Sequence, residues 1–128
     1  MPKKRRPKVL LVDDDRDSRD LYHYILRWGG FEVLTAADGD EALRQLDEHP
    51  DVVVLDIQLP RRNGFEILED LRRLPSAASV PVIALTGYAD AAYRARTVSG
   101  FADVLEKPCD ANDLIGKVRQ ALGAAQAP

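Results

Sequence analysis

Apolar residues fall into five short runs, separated by segments in which they recur at helical spacing. Val9-Leu10-Leu11-Val12 is continuous and stops abruptly at Asp13-Asp14-Asp15, the pattern of a strand buried on both faces of a parallel sheet. Residues 31–35, 52–55, 80–85 and 104–105 supply four more runs of strand length. Between the first two, residues 17–28 carry Leu21, Tyr24, Ile25 and Trp28 at i, i+3, i+4 and i+7. That spacing predicts a helix whose buried face is made by those four side chains. Gly29-Gly30 ends it.

A second helix is predicted over residues 39–49, with Ala42, Leu43 and Leu46 on one face and Pro50 as its stop. A third covers 65–74, with Phe65, Leu68 and Leu71 or Arg72 spaced along it and Pro75 beyond. Residues 89–99 form a weaker helix rich in Ala and Arg. The last helix starts at Asp110 and buries Leu114, Ile115, Val118 and Leu122, and residues 124–128 read as a frayed tail. Strand and helix alternating five times predict an α/β domain, (βα)5, with a parallel sheet and helices on both faces. No linker, repeat or low-complexity stretch divides it, so residues 8–123 are expected to form one domain behind a basic tail, 1–7.

Composition agrees with a single globular domain: 128 residues, 45% of them hydrophobic and 30% charged. No apolar run reaches the ~18–20 residues that cross a membrane. No apolar segment with a small-residue cleavage site follows the basic start, so no secretion signal is expected. A single cysteine, Cys109, excludes an internal disulfide or multi-cysteine metal site and suggests a reducing cytoplasm. It reads as a small apolar packing residue rather than a nucleophile. Lys3, Lys4, Arg5, Arg6 and Lys8 precede every acid in the chain. The other 13 bases face all 21 acids, a net charge of −8 over residues 9–128, which argues against nucleic-acid binding by the domain itself.

Open α/β sheets bind ligands beyond the carboxyl ends of their strands. There the sequence places Asp13, Asp14 and Asp15 after the first strand, Asp56 after the third, Thr86 after the fourth and Lys107-Pro108 after the fifth. Two carboxylates ~4 Å apart repel by about 4 kcal/mol at an effective dielectric near 20, so such a cluster calls for a cation. Oxygen ligands without His or Cys favour a hard ion, Mg²⁺ over Zn²⁺ or Cu²⁺. With Lys107 as a second positive charge, the edge suits a phosphoryl group. Asp15 fits simple capping of the following helix. His23 and His49 lie away from the strand ends and are expected to be surface or partly buried side chains.

The stretches VLLVDDD (9–15), VVLDIQLP (53–60) with Asn63-Gly64, IALTG (83–87) and Lys107-Pro108 resemble, in order, the receiver domain of two-component response regulators. The resemblance implies a CheY-like doubly wound, three-layer fold of strand order 2-1-3-4-5 and a cis Lys107-Pro108 bond. It implies Asp56 as phosphoacceptor, assisted by Thr86 and Lys107. Asp13, Asp14, Asp56 and the Gln58 backbone carbonyl would hold Mg²⁺. A regulator rather than an enzyme is implied, which changes its affinity for a downstream partner. Its donor would be a sensor histidine kinase or histidine phosphotransfer protein. A phosphorylation-dependent homodimer is a further partner this allows; nucleic acid and membrane are not expected partners. The departures fall on the usual output face of the fourth helix, fifth strand and fifth helix. Val104 stands where an aromatic is common, Cys109 follows Lys-Pro, and the span from Thr86 to Lys107 is about a residue short. Two alternatives keep the Asp. A haloacid-dehalogenase-type enzyme needs a second Asp where Gln58 stands. A docking module independent of phosphorylation would not need the full set of site residues.

Overall fold

The computed structural model describes residues 5–126. Its elements are β1 Lys8–Val12, α1 Arg16–Trp28, β2 Glu32–Ala36, α2 Gly39–Gln45, β3 Val52–Leu55, α3 Gly64–Arg73, β4 Val82–Thr86, α4 Ala89–Thr97, β5 Asp103–Glu106 and α5 Ala111–Gln126. All five strands are parallel, in the order β2-β1-β3-β4-β5. The register sets Val12 beside both Ala36 and Leu55, and Thr86 beside Glu106, so the strands end along one edge. The peptide bond Lys107-Pro108 is cis.

Alternate residues of each central strand face opposite layers. Val9, Leu11, Val52, Val54, Ile83 and Leu85 pack against Tyr22 and Leu26 of α1 and Leu114, Ile115 and Val118 of α5. Leu10, Val12, Val53, Leu55 and Val82 pack against Ala42 of α2 and Ile67, Leu68 and Leu71 of α3. A smaller cluster joins Ile57, Ala84 and Val104 to Ala91, Ala92 and Ala95, so the buried contact of α4 with the sheet is made by methyl groups, with Arg96 pairing Glu106 of β5 at 3.5 Å on the outside.

Three expectations change. The α1 face is turned: Leu21, Tyr24 and Trp28 are 52%, 71% and 68% exposed, while Tyr22 and Leu26 are buried and Ile25 partly so. Two apolar stripes lie one residue apart on this helix, and periodicity alone fits either. Tertiary packing decides, because Gly29 lies directly against Ile115 of α5 and fixes how α1 sits. The second helix is shorter than expected. It gives way to a 3₁₀ turn, Leu46–Glu48, closed by His49 in the left-handed region at φ 55°. Finally, α5 runs on through Gln126, into the segment expected to fray. Of the basic tail, residues 5–7 are described, and Arg5 pairs with Asp51 at 3.6 Å. Residues 1–4 and 127–128 lie outside the described residues. No helix among the described residues is long and apolar enough to cross a membrane.

Candidate functional site

Asp13 is the first residue beyond β1, and its N–H donates to the Ala36 carbonyl at 3.0 Å, continuing the ladder into the turn. Its side chain is 1% exposed and fully engaged. Oδ1 accepts from the Asp15 N–H at 3.0 Å, and Oδ2 accepts from the Ser18 hydroxyl at 2.6 Å and from Lys107 Nζ at 2.7 Å. Asp15 caps α1 by accepting from the Ser18 N–H at 2.9 Å. Asp56 follows β3 in the same way, its N–H donating to the Val12 carbonyl at 2.9 Å. Its Oδ1 accepts from the Gln58 N–H at 2.9 Å and its Oδ2 from Lys107 Nζ at 3.0 Å. Lys107 therefore bridges two buried carboxylates from strands that are not neighbours of its own.

Burial raises the Asp56 carboxyl above its ordinary value, and the Asp13 charge adds to the rise; the Gln58 N–H and Lys107 pull against it. Burial by itself would lower the Lys107 ammonium, but the Asp13 and Asp56 carboxylates outweigh it and hold that group above its ordinary value. Lys107 is thus a fixed cation across the physiological range. Burial raises the Cys109 thiol, which lies beside Tyr22 and packs partly buried against the α1/α5 side of the core.

The pocket outside these groups has a volume of about 760 Å³ and is lined by Asp14, Asp15, Ser18, Asp56, Gln58, Leu59, Pro60, Gly87, Tyr88 and Lys107. Asp13, Asp14 and Asp56 each place a carboxylate oxygen within 4.8 Å of the others. Asp14 is exposed and makes no hydrogen bond or ion pair among the described residues, nor does the Gln58 carbonyl accept one. Free oxygen donors beside a buried carboxylate pair fit a hard divalent cation. Thr86 stands at the same edge, wholly buried, its hydroxyl oxygen accepting from the Tyr88 N–H at 3.2 Å. Of the residues expected at the site, Asp14, Asp56, Gln58 and Lys107 line the pocket, and Asp13 and Thr86 lie buried at the same sheet edge without lining it; His23, in α1, and His49, after the 3₁₀ turn, are not among the lining residues.

Sequence reasoning missed Ser18, for a traceable reason. Ser18, Tyr22 and Leu26 share one stripe of α1, at spacing i, i+4, i+8. A serine in the first turn of a helix reads as a capping or surface residue, and nothing in the apolar spacing marks it as a partner of Asp13. A second group, Arg19, donates to the Asp13 carbonyl at 2.9 Å and holds the same turn from behind. On the far side, Gly64 begins α3 so close to the loop that a Cβ there would lie 2.8 Å from the Ile57 Cα and 3.0 Å from the Asp56 carbonyl oxygen. Asn63 caps that helix reciprocally with Glu66.

Comparison with known proteins agrees with this geometry. The family described as response regulator receiver domain matches residues 9–119. A 14.6 kDa protein encoded in the sodA1 3′ region of Leptolyngbya boryana is 42% identical over 88% of this chain and 87% of its own length. The transcriptional regulatory protein CpxR of Klebsiella pneumoniae is 38% identical over 90% of this chain, which spans only 49% of that regulator. Among solved structures, a receiver domain protein from Clostridium thermocellum superposes with a TM-score of 0.82 at 32% identity, covering 92% of this chain and 95% of that one.

Proposed function

The chain belongs to the response regulator receiver family, and on that premise we propose that it is a switch thrown by phosphorylation of Asp56. The observation that carries this reading is the Lys107 ammonium held at 2.7 Å from Asp13 and 3.0 Å from Asp56 at the floor of an open, acid-lined pocket. An Asp56 oxygen forms the O–P bond as the N–P bond of a donor phosphohistidine breaks, and the imidazole nitrogen regains a proton. The product is an aspartyl phosphate. Lys107 neutralises charge on the transferred group, and Thr86, buried behind the pocket, would turn its hydroxyl toward that group. Asp13, Asp14, Asp56 and the Gln58 carbonyl would hold Mg²⁺, which supplies further charge neutralisation for the phosphoryl oxygens.

The family implies a histidine kinase as partner, directly or through a histidine phosphotransfer protein. The exposed stripe of Leu21, Tyr24 and Trp28 starts from the helix whose first turn lines the pocket, and offers such a donor an apolar face. Output is a changed affinity for a downstream protein. The chain is a regulator, and its chemistry is limited to taking and losing one phosphoryl group. The test is intact-mass spectrometry after treatment with acetyl phosphate. Wild type gains the mass of one phosphoryl group when Mg²⁺ is present and not when EDTA replaces it, and Asp56→Asn gains none. A phosphoryl adduct that persists in Asp56→Asn moves the acceptor elsewhere. No adduct on wild type favours a docking module that works without phosphorylation.

A further inference from the structure

Ser18 holds more of the site than capping requires. Its N–H already serves the Asp15 cap, and any residue would offer that group. Its hydroxyl is a separate bond, 2.6 Å to Asp13 Oδ2, the same oxygen that Lys107 approaches at 2.7 Å. Asp13 is 1% exposed, so water cannot replace a donor that leaves. Lys107 has three N–H groups, two of them aimed at Asp13 and Asp56. When Asp56 becomes an acyl phosphate, its own carboxylate charge disappears and the negative charge moves out to the phosphoryl oxygens. Lys107 follows that charge, and its bond to Asp13 lengthens or breaks.

We infer that Ser18 is a positioning residue for phosphotransfer: its hydroxyl keeps the buried Asp13 carboxylate satisfied while Lys107 turns to the phosphoryl group. This rests on the reading of Asp56 as the acceptor. Without the hydroxyl, Lys107 is the only side-chain donor left on Asp13 Oδ2, and releasing it leaves that buried oxygen with no protein donor, while Oδ1 keeps the Asp15 N–H.

Two measurements test this. The first is the rate of phosphorylation by phosphoramidate with Mg²⁺. Ser18→Ala is expected to be about tenfold slower than wild type, equal to ~1.4 kcal/mol of barrier, and Ser18→Thr, which keeps the hydroxyl, recovers most of the rate. The second needs neither metal nor phosphate: thermal unfolding in EDTA of Ser18→Ala, Lys107→Met and the double variant. If the two donors back each other up, the serine change lowers the melting temperature more in the Lys107→Met background than in wild type. Equal rates for Ser18→Ala and wild type, a threonine variant as slow as alanine, or strictly additive melting shifts would each overturn the inference. A wild type that takes no phosphoryl group at all would instead overturn the reading of Asp56, and the unfolding cycle would still report on Ser18.

Discussion

His49 closes the 3₁₀ turn at φ 55°, exposed and with no hydrogen bond from its ring among the described residues. A left-handed backbone costs an ordinary L-residue about 1–2 kcal/mol, part of which glycine returns through its looser unfolded chain. His49→Gly is therefore expected to stabilise the protein by about 0.5–1 kcal/mol, read as a higher urea midpoint at unchanged slope. Asp56 carries strain of another kind. Because burial raises its folded pKa above the ordinary carboxylate value of 3.8, the fold favours the neutral form. That contribution is complete below the ordinary value and is lost as pH climbs through the raised one. Asp56→Asn, neutral throughout, should melt higher than wild type in EDTA at pH 7, and the gap should close as pH falls toward 3.8. A gap that widens on acidification would reverse the sign assigned here. Tyr88, 59% exposed, lines the same pocket as Gln58 from the start of α4. A phenol ring at that position is expected to keep water from in-line attack on an aspartyl phosphate. Tyr88→Ala should release phosphate several-fold faster at unchanged Mg²⁺ affinity, and an equal or slower rate would clear Tyr88 of that role.

The helices differ in how firmly the sheet holds them. Both α1 and α5 bury large aliphatic and aromatic side chains, whereas the buried side chains of α4 are three alanines. The larger contacts around α4 lie off the sheet: Phe65 meets Phe101 edge-on at 5.8 Å, and the guanidinium of Arg94, from α4 itself, lies 4.1 Å above the Phe65 ring. Methyl groups bury little area, so α4 opens at lower free energy than its neighbours. Its amides should exchange with deuterium before those of α1 and α5, and beryllofluoride should change α4 protection more than that of any other helix. With Val104 stiff at χ1 and lacking a ring to swing, the element itself is left to move. The start of α3 is the opposite case. Gly64→Ala should cost about 1–3 kcal/mol through overpacking and slow phosphorylation as well, since the displaced atoms belong to Ile57 and Asp56. These contrasts mark what could be read in advance. Strand ends were legible because Val9–Val12 and Val52–Leu55 are buried on both faces and stop at acids. The small grip of α4 was legible in its alanines. The phase of α1 was not, because Leu21/Tyr24/Trp28 and Tyr22/Ile25/Leu26 are both apolar at helical spacing and only the position of Ile115 separates them. Nor was Ser18, because a serine in a first helical turn carries no apolar signal.

Across the whole molecule, the core lies on both faces of the sheet and the chemistry on one edge, so the site can be altered with little change to the buried layers. The order β2-β1-β3-β4-β5 was legible only through the resemblance, because alternation of strand and helix fits several windings, and the register not at all. The same order has a bearing on how the chain is made. Asp13 is made before Asp56 and Asp56 before Lys107, and Lys107 must then reach partners 94 and 51 positions behind it. A nascent or clipped chain lacking β5 still carries both acids, but no ammonium to offset them. On the proposed reading such a fragment takes no phosphoryl group, however well its first four strands have paired. Competence to receive a signal then waits for residue 107, and a phosphorylated molecule certifies that its chain was made at least that far.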